Sequence, residues 1–119
     1  MTIIDYLITG GVLVGAFFDE IMNWAKDKFN SLSNGVKKAW VYIRRIPGGI
    51  KQMMRYIENG KWWEKSEDVQ MDIEIRYQNK EIDKDTYERL QNDDEMYIGT
   101  MERKPEWGKP ITTQLKFRK

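Results

Sequence analysis

Apolar residues recur along the first quarter of the chain at helical steps. Ile4, Leu7, Ile8, Gly11, Val14, Gly15, Phe18, Ile21, Met22, Ala25, Phe29 and Leu32 fall mostly three or four residues apart. That spacing predicts one long helix, or two joined ones, over residues 3–32. Its first half is apolar nearly all round, because Tyr6 to Phe18 holds no charge. Its second half is amphipathic, with Asp19, Glu20, Asn23, Lys26, Asp27 and Asn30 off the stripe. After the Ser/Asn/Gly break at 31–35, Val36, Ala39, Trp40 and Ile43 match the i, i+3, i+4, i+7 template, and Ile50, Met53, Met54 and Ile57 match it again. Two further amphipathic helices, about 34–46 and about 49–58, are therefore predicted, stopped by Pro47-Gly48-Gly49 and Asn59-Gly60.

The remainder is less uniform. Val69, Met71, Ile73, Ile75 and Tyr77 alternate as in a half-buried strand. Val69, Ile73 and Tyr77 also stand at four-residue steps behind Ser66, a candidate N-cap, and the helical reading is preferred. Asp83 to Gln91 reads as a short helix with Asp83 as its N-cap. Residues 95–118 alternate on either side of a Pro/Gly-containing stretch and predict a β-hairpin. The expected fold class is α+β, mostly α. Residues 1–65 form an apolar and basic helical part, residues 66–119 an acidic helical hairpin with an extended tail, and both belong to one compact unit.

Within the acidic part, Arg76-Tyr77-Gln78-Asn79-Lys80-Glu81-Ile82-Asp83-Lys84-Asp85-Thr86-Tyr87-Glu88-Arg89-Leu90 resembles the short helical hairpin called SHOCT. Ile82 would be the staple residue, Asp83 the cap and Tyr87 the apolar partner. The turn glycine usual in that family is absent, and Asn79 is the residue expected to take the left-handed conformation in its place. The resemblance covers residues 66–91. It implies an oligomerisation or docking hairpin and no catalysis.

Composition narrows the chemistry. The 119 residues contain no Cys and no His. Disulfides, thiolate zinc sites and cysteine nucleophiles are excluded, as are the Ser-His-Asp and Cys-His arrangements. Asp83-x-Asp85 opens like a calcium loop, but Glu88 stands where that loop requires Gly and Asp94 where it requires Glu. Asp72-x-Glu74 and Asp93-Asp94-Glu95 lack the phosphate-binding loop or further spaced acids that a magnesium site would use, and no Gly-rich nucleotide motif is present. The expectation is a protein that is not an enzyme, without metal or cofactor.

Charge then divides the candidate partners. The net charge of +1 conceals blocks of −2 over 1–34, +6 over 35–65, −7 over 66–106 and +4 over 107–119. The basic block interleaves Lys37, Lys38, Arg44, Arg45, Lys51 and Arg55 with Trp40, Tyr42, Trp62 and Trp63. Anionic lipid headgroups and nucleic-acid phosphates both suit that mixture, as does an ordinary bundle with solvated cations. The uncharged N-terminal run covers roughly 20 Å of a roughly 30 Å hydrocarbon layer. It is therefore read as a buried or interfacial helix and not as a clean span. Leu7, Ile8, Val14, Phe17 and Phe18 are its candidate contacts with a membrane or a partner.

The reading that results is a small membrane-surface-associated or assembly and docking protein. Its partner is another protein or a second copy of itself, with an anionic membrane surface next. The alternative is a soluble nucleic-acid accessory or inhibitor protein of phage or mobile-element type. The expected location is the cytoplasm, including the inner face of its membrane.

Overall fold

The computed structural model describes residues 4–7, 15–92, 95–106 and 109–117. In chain order the elements are β1 (Ile4–Leu7), α1 (Gly15–Ser31), β2 (Lys38–Ile46), β3 (Gly49–Glu58), β4 (Lys61–Gln70), α2 (Ile73–Gln78), α3 (Lys84–Gln91), β5 (Met96–Glu106) and β6 (Lys109–Phe117). The strands form one six-stranded sheet in the order β1-β6-β5-β2-β3-β4. All neighbours run antiparallel except β1, which lies parallel to β6.

The expectation of a mostly helical fold is thus overturned, because strands outweigh helices. The predicted helices at 34–46 and 49–58 are β2 and β3. Their stop signals are hairpin turns. Gly48, after Pro47, has φ +80°, which suits the third position of a type II turn. Asn59 (φ 53°) and Gly60 (φ 76°) make the Asn-Gly turn most typical of two-residue hairpins. Ala39, Val41 and Ile43 are buried alternately, as are Ile50, Gln52, Met54 and Tyr56. The helical i, i+3, i+4 matches were coincidences within strands that carry apolar residues on both faces.

The N-terminal expectation of a helix over 3–32 is cut back at its start. Helix α1 begins at Gly15, Ile4–Leu7 is a strand, and residues 8–14, with the Gly10-Gly11 pair, lie outside the described residues. The segment at 66–78 divides. Residues up to Gln70 belong to β4, so Ser66 caps nothing, and Asp72 accepts from Ile75 N at 3.1 Å to start α2. The boundary drawn between 65 and 66 falls inside β4. Asp83 does cap α3, accepting from Thr86 N at 2.8 Å. Lys80 (φ 63°), and not Asn79, takes the left-handed position between the two helices. The hairpin expected at 95–118 forms as β5 and β6.

The helices lie on one face of the sheet. Phe17, Phe18, Ile21, Met22, Ala25 and Phe29 of α1 meet Val41 and Ile43 of β2, Ile50 and Met54 of β3, and Met96, Ile98 and Met101 of β5 in one core. Ile73, Ile82 and Leu90 bring α2 and α3 onto it. Each large apolar side chain so buried contributes about 1.5–3 kcal/mol. Ile98 enters this core because a bulge between Val41 and Tyr42 lets β5 carry one extra residue.

Helix α1 is held at its C-terminus by Arg103 of β5. The guanidinium donates to the carbonyls of Ser33 (2.6 Å), Leu32 (3.2 Å), Val36 (3.3 Å) and Phe29, and lies over the Phe29 ring at 4.6 Å. Replacing Arg103 by Leu removes its bonds to all four carbonyls, of which Phe29 O and Ser33 O still accept from Leu32 N and Val36 N. Denaturant unfolding is expected to show a loss on the order of 3 kcal/mol, with Lys restoring only part of it because it lacks the planar fork.

The β3–β4 pairing requires glycine at 49. A Cβ there would stand 1.9 Å from the carbonyl oxygen of Val69, whereas a Cβ on Gly48 meets nothing within 4 Å. Gly49→Ala is expected to cost about 3 kcal/mol or more and Gly48→Ala about 1 kcal/mol, read from the same unfolding curves.

Candidate docking face

With all three helices on one side, the opposite side of β5-β2-β3-β4 carries no covering layer among the described residues. Strand alternation decides what it presents. Ala39, Val41 and Ile43 face the helices, so Lys38, Trp40, Tyr42 and Arg44 face outward. The register places Lys51, Met53, Arg55 and Ile57 of β3 beside them, then Trp62, Glu64, Ser66 and Asp68 of β4. On the other flank it places Tyr97, Thr100 and Glu102 of β5.

The centre of this face is a cation held by two acids. Arg55 bonds Glu64 Oε1 at 2.9 Å and Glu95 Oε2 at 2.8 Å, and its guanidinium lies 4.7 Å from the centre of the Tyr42 ring. The hydrogen bond from Arg55 holds the Glu95 carboxyl below its ordinary value, against the opposing effect of burial. The same bond, more than the one to Glu64, raises the Arg55 guanidinium further above its ordinary range. Aromatic rings surround the centre. Trp40 and Trp62 meet at 5.3 Å, Tyr42 and Tyr97 at 5.6 Å, both tilted. The Tyr97 hydroxyl bonds Thr100 Oγ1. Lys38 lies 5.2 Å from the Trp40 ring centre and 3.7 Å from Glu102.

Of the six cations singled out in the sequence, this face brings together Lys38, Arg44, Lys51 and Arg55. Lys37 precedes β2, and Arg45 points to the helix side, where its Nη1 is buried without a hydrogen-bond partner. The patch is not the outward side of two helices, and its charge is not unopposed. Glu64, Asp68, Glu95 and Glu102 stand among the four cations. Arg44 and Lys51 are cross-strand neighbours that make no ion pair among the described residues.

Trp40 and Trp62 belong to the face. Trp63 points to the helix side of the edge strand, where its Nε1 donates to the Glu58 carbonyl at 3.4 Å. Of the expected N-terminal contacts, Phe17 and Phe18 are buried under the sheet and cannot meet a membrane in this fold. Leu7 lies in β1, and Ile8 and Val14 lie outside the described residues.

Sequence reasoning missed Glu64, Glu95, Tyr97 and Ile57 as parts of the face. The signal that would have found the β3–β4 part is the pair of two-residue turns, Pro47-Gly48 and Asn59-Gly60, bracketing ten residues. Nothing local marks Glu95 or Tyr97, which reach the face by long-range pairing of β5 with β2.

Among the described residues no helix is long and apolar enough to cross a membrane, and no group of three or more acids could hold a metal ion. No family model matches the chain, and no curated protein or solved structure matches it either. The likeness of residues 66–91 to SHOCT therefore rests on those residues alone.

The Arg55–Glu95 pair has a pH signature. Its carboxyl is lowered in the folded state, so the stability it contributes is complete above the ordinary value of 4.5. That stability is lost as pH falls through the lowered value. Titration of Glu95 followed by carbon-detected NMR is expected to move up towards 4.5 in Arg55→Gln, with acid unfolding beginning at a higher pH.

Proposed function

We propose that this chain is a non-enzymatic docking protein whose contact surface is the uncovered face of its sheet, and that the partner is another protein chain, in the simplest case a second copy. The observation that carries this reading is the cluster of Trp40, Tyr42, Trp62 and Tyr97 around the doubly paired Arg55. Tyr, Trp and Arg are the side chains that dominate protein interfaces, because they bury large areas yet keep a polar handle. The absence of His and Cys supports a binding role over catalysis.

Charge favours protein over nucleic acid. Phosphate binding draws on unopposed cations, while here four acids stand among four cations. A face of mixed sign can also be complementary to its own two-fold copy, which a patch of one sign cannot. On the SHOCT resemblance, α2–α3 is a second docking element, with Ile75 outward. Cytoplasmic location, including the inner face of the membrane, is part of the same proposal and is supported by the lack of Cys.

One observation favours nucleic acid as the second reading. Arg44 and Lys51 are like charges side by side, an arrangement that an anion would relieve.

Sedimentation velocity over a concentration series to about 100 µM separates the two. The expected result is a concentration-dependent dimer that Tyr42→Ser disrupts. A chain that stays monomeric throughout, yet binds an oligothymidine with steep salt dependence, would replace the first reading with the second.

A further inference from the structure

The β3–β4 hairpin ends in an apolar tip that the docking face explains only in part: Ile57 and Trp62 belong to that face, while Trp63 lies on its other side. Ile57 and Trp62 are cross-strand partners one residue from the Asn59-Gly60 turn, and Trp63 follows on the opposite side of the strand. Their relative exposures are 42%, 63% and 50%. These are three of the four large apolar side chains most exposed among the described residues. The Trp63 indole N–H already has the Glu58 carbonyl as acceptor, so the surface it shows is the apolar ring.

Two features select the occupant. First, the apolar surface wraps around an edge strand, with Trp62 on the outer side and Trp63 on the helix side. A partner laid flat on the outer face would cover Trp62 and leave Trp63 in water. A fluid layer into which the tip dips covers both. Second, the rings are collared by cations. Lys37, Lys38 and Lys61 lie at this end of the sheet, and Lys37 and Lys61 make no ion pair among the described residues. Lys61 is opposite Glu58 in register, but that carboxylate accepts from Ser33 Oγ at 2.8 Å. Trp rings at headgroup level with Lys beside them match an anionic bilayer surface.

We infer that the β3–β4 tip is an interfacial anchor for anionic membranes, inserting Trp62 and Trp63 at headgroup depth with Lys37 and Lys61 on the lipid phosphates. The depth has a physical limit. The outer edge of β4 carries backbone N–H and C=O groups with no strand beyond it among the described residues, and such groups cannot enter hydrocarbon. Only side chains enter, and the contact is shallow and reversible. The anchor is also separate from α1, whose apolar stripe is spent in the core. The inference does not depend on self-docking through Tyr42 and Tyr97, which lie further along the sheet.

The test is flotation of the full chain with vesicles of phosphatidylcholine alone or with about a third phosphatidylglycerol. The expected result is flotation with the anionic vesicles only, weakened by salt. Trp emission is expected to shift to the blue and to be quenched by lipids brominated near the headgroup more than by those brominated deep in the chain. Trp62→Ala/Trp63→Ala, at exposed positions that leave the core untouched, is expected to lower vesicle affinity about tenfold or more, and Lys61→Glu to lower it less. Tyr42→Ser, chosen against self-association, is expected to float like the parent chain. Absence of flotation with anionic vesicles at low salt overturns the inference. So does flotation that the double Trp variant leaves unchanged, since that places the lipid contact elsewhere, and so does binding of the tip to a protein or a nucleic acid in place of vesicles.

Discussion

The position of α1 depends on Arg103, and the arrangement of the rest of the molecule depends on α1. A helix ends in carbonyls that lack intrahelical donors and carry the negative end of its dipole. Here a guanidinium buried to 8% exposure reaches across from β5 to four carbonyls around that end. Burial lowers its proton affinity, as expected for a cation taken out of water. Charge-assisted hydrogen bonds to the carbonyls offset that cost. The Arg103 backbone N–H also donates to the Lys37 carbonyl at 2.8 Å, so one residue fixes the end of α1, the loop after it and the start of β2.

That anchoring sets the polarity of the sheet. Among the described residues the sheet has one helical layer, which leaves its other face to solvent or to a partner. The other end of α1 is tied by Arg76, which reaches Glu20 at 3.1 Å and Glu81 at 3.0 Å and so joins α1, α2 and the turn after it. The stacked rings of Tyr77 and Tyr87, 4.1 Å apart, and the Tyr87 hydroxyl donating to Glu74 close the α2–α3 hairpin. Every helix is thereby committed to the same side.

The uncovered face is ordered before any partner arrives. Arg55 is fixed by two carboxylates and a ring, and Trp40 and Tyr42 are half-buried by their neighbours. A surface whose rotamers are already restricted loses less entropy on binding. The hairpin tip is built differently, with its rings held at one side only and open on the other. A rigid, charge-balanced face and a protruding aromatic tip suit two kinds of contact, one with a shaped surface and one with a fluid one.

The order of residues was enough for the lack of His and Cys, the stripe that became α1 from Gly15 onward, the Asp83 cap and the C-terminal hairpin. Each depends on residue type or on neighbours a few positions away. It did not determine β2 and β3, because Ala39-Trp40-Val41-Tyr42-Ile43 and Ile50 to Ile57 carry apolar residues on both faces, and such a run satisfies helical and strand periods together. Burial arbitrated, through pairing with β4 nearby and with β5 some sixty residues away in the chain, as between Lys38 and Glu102. The charge blocks were legible as a pattern, but their meaning was not. A basic stretch that reads as an unopposed patch along the chain becomes a balanced face once the sheet lays β4 and β5 on either side of it. Acids from distant strands come within bonding distance of those cations only once the sheet is assembled.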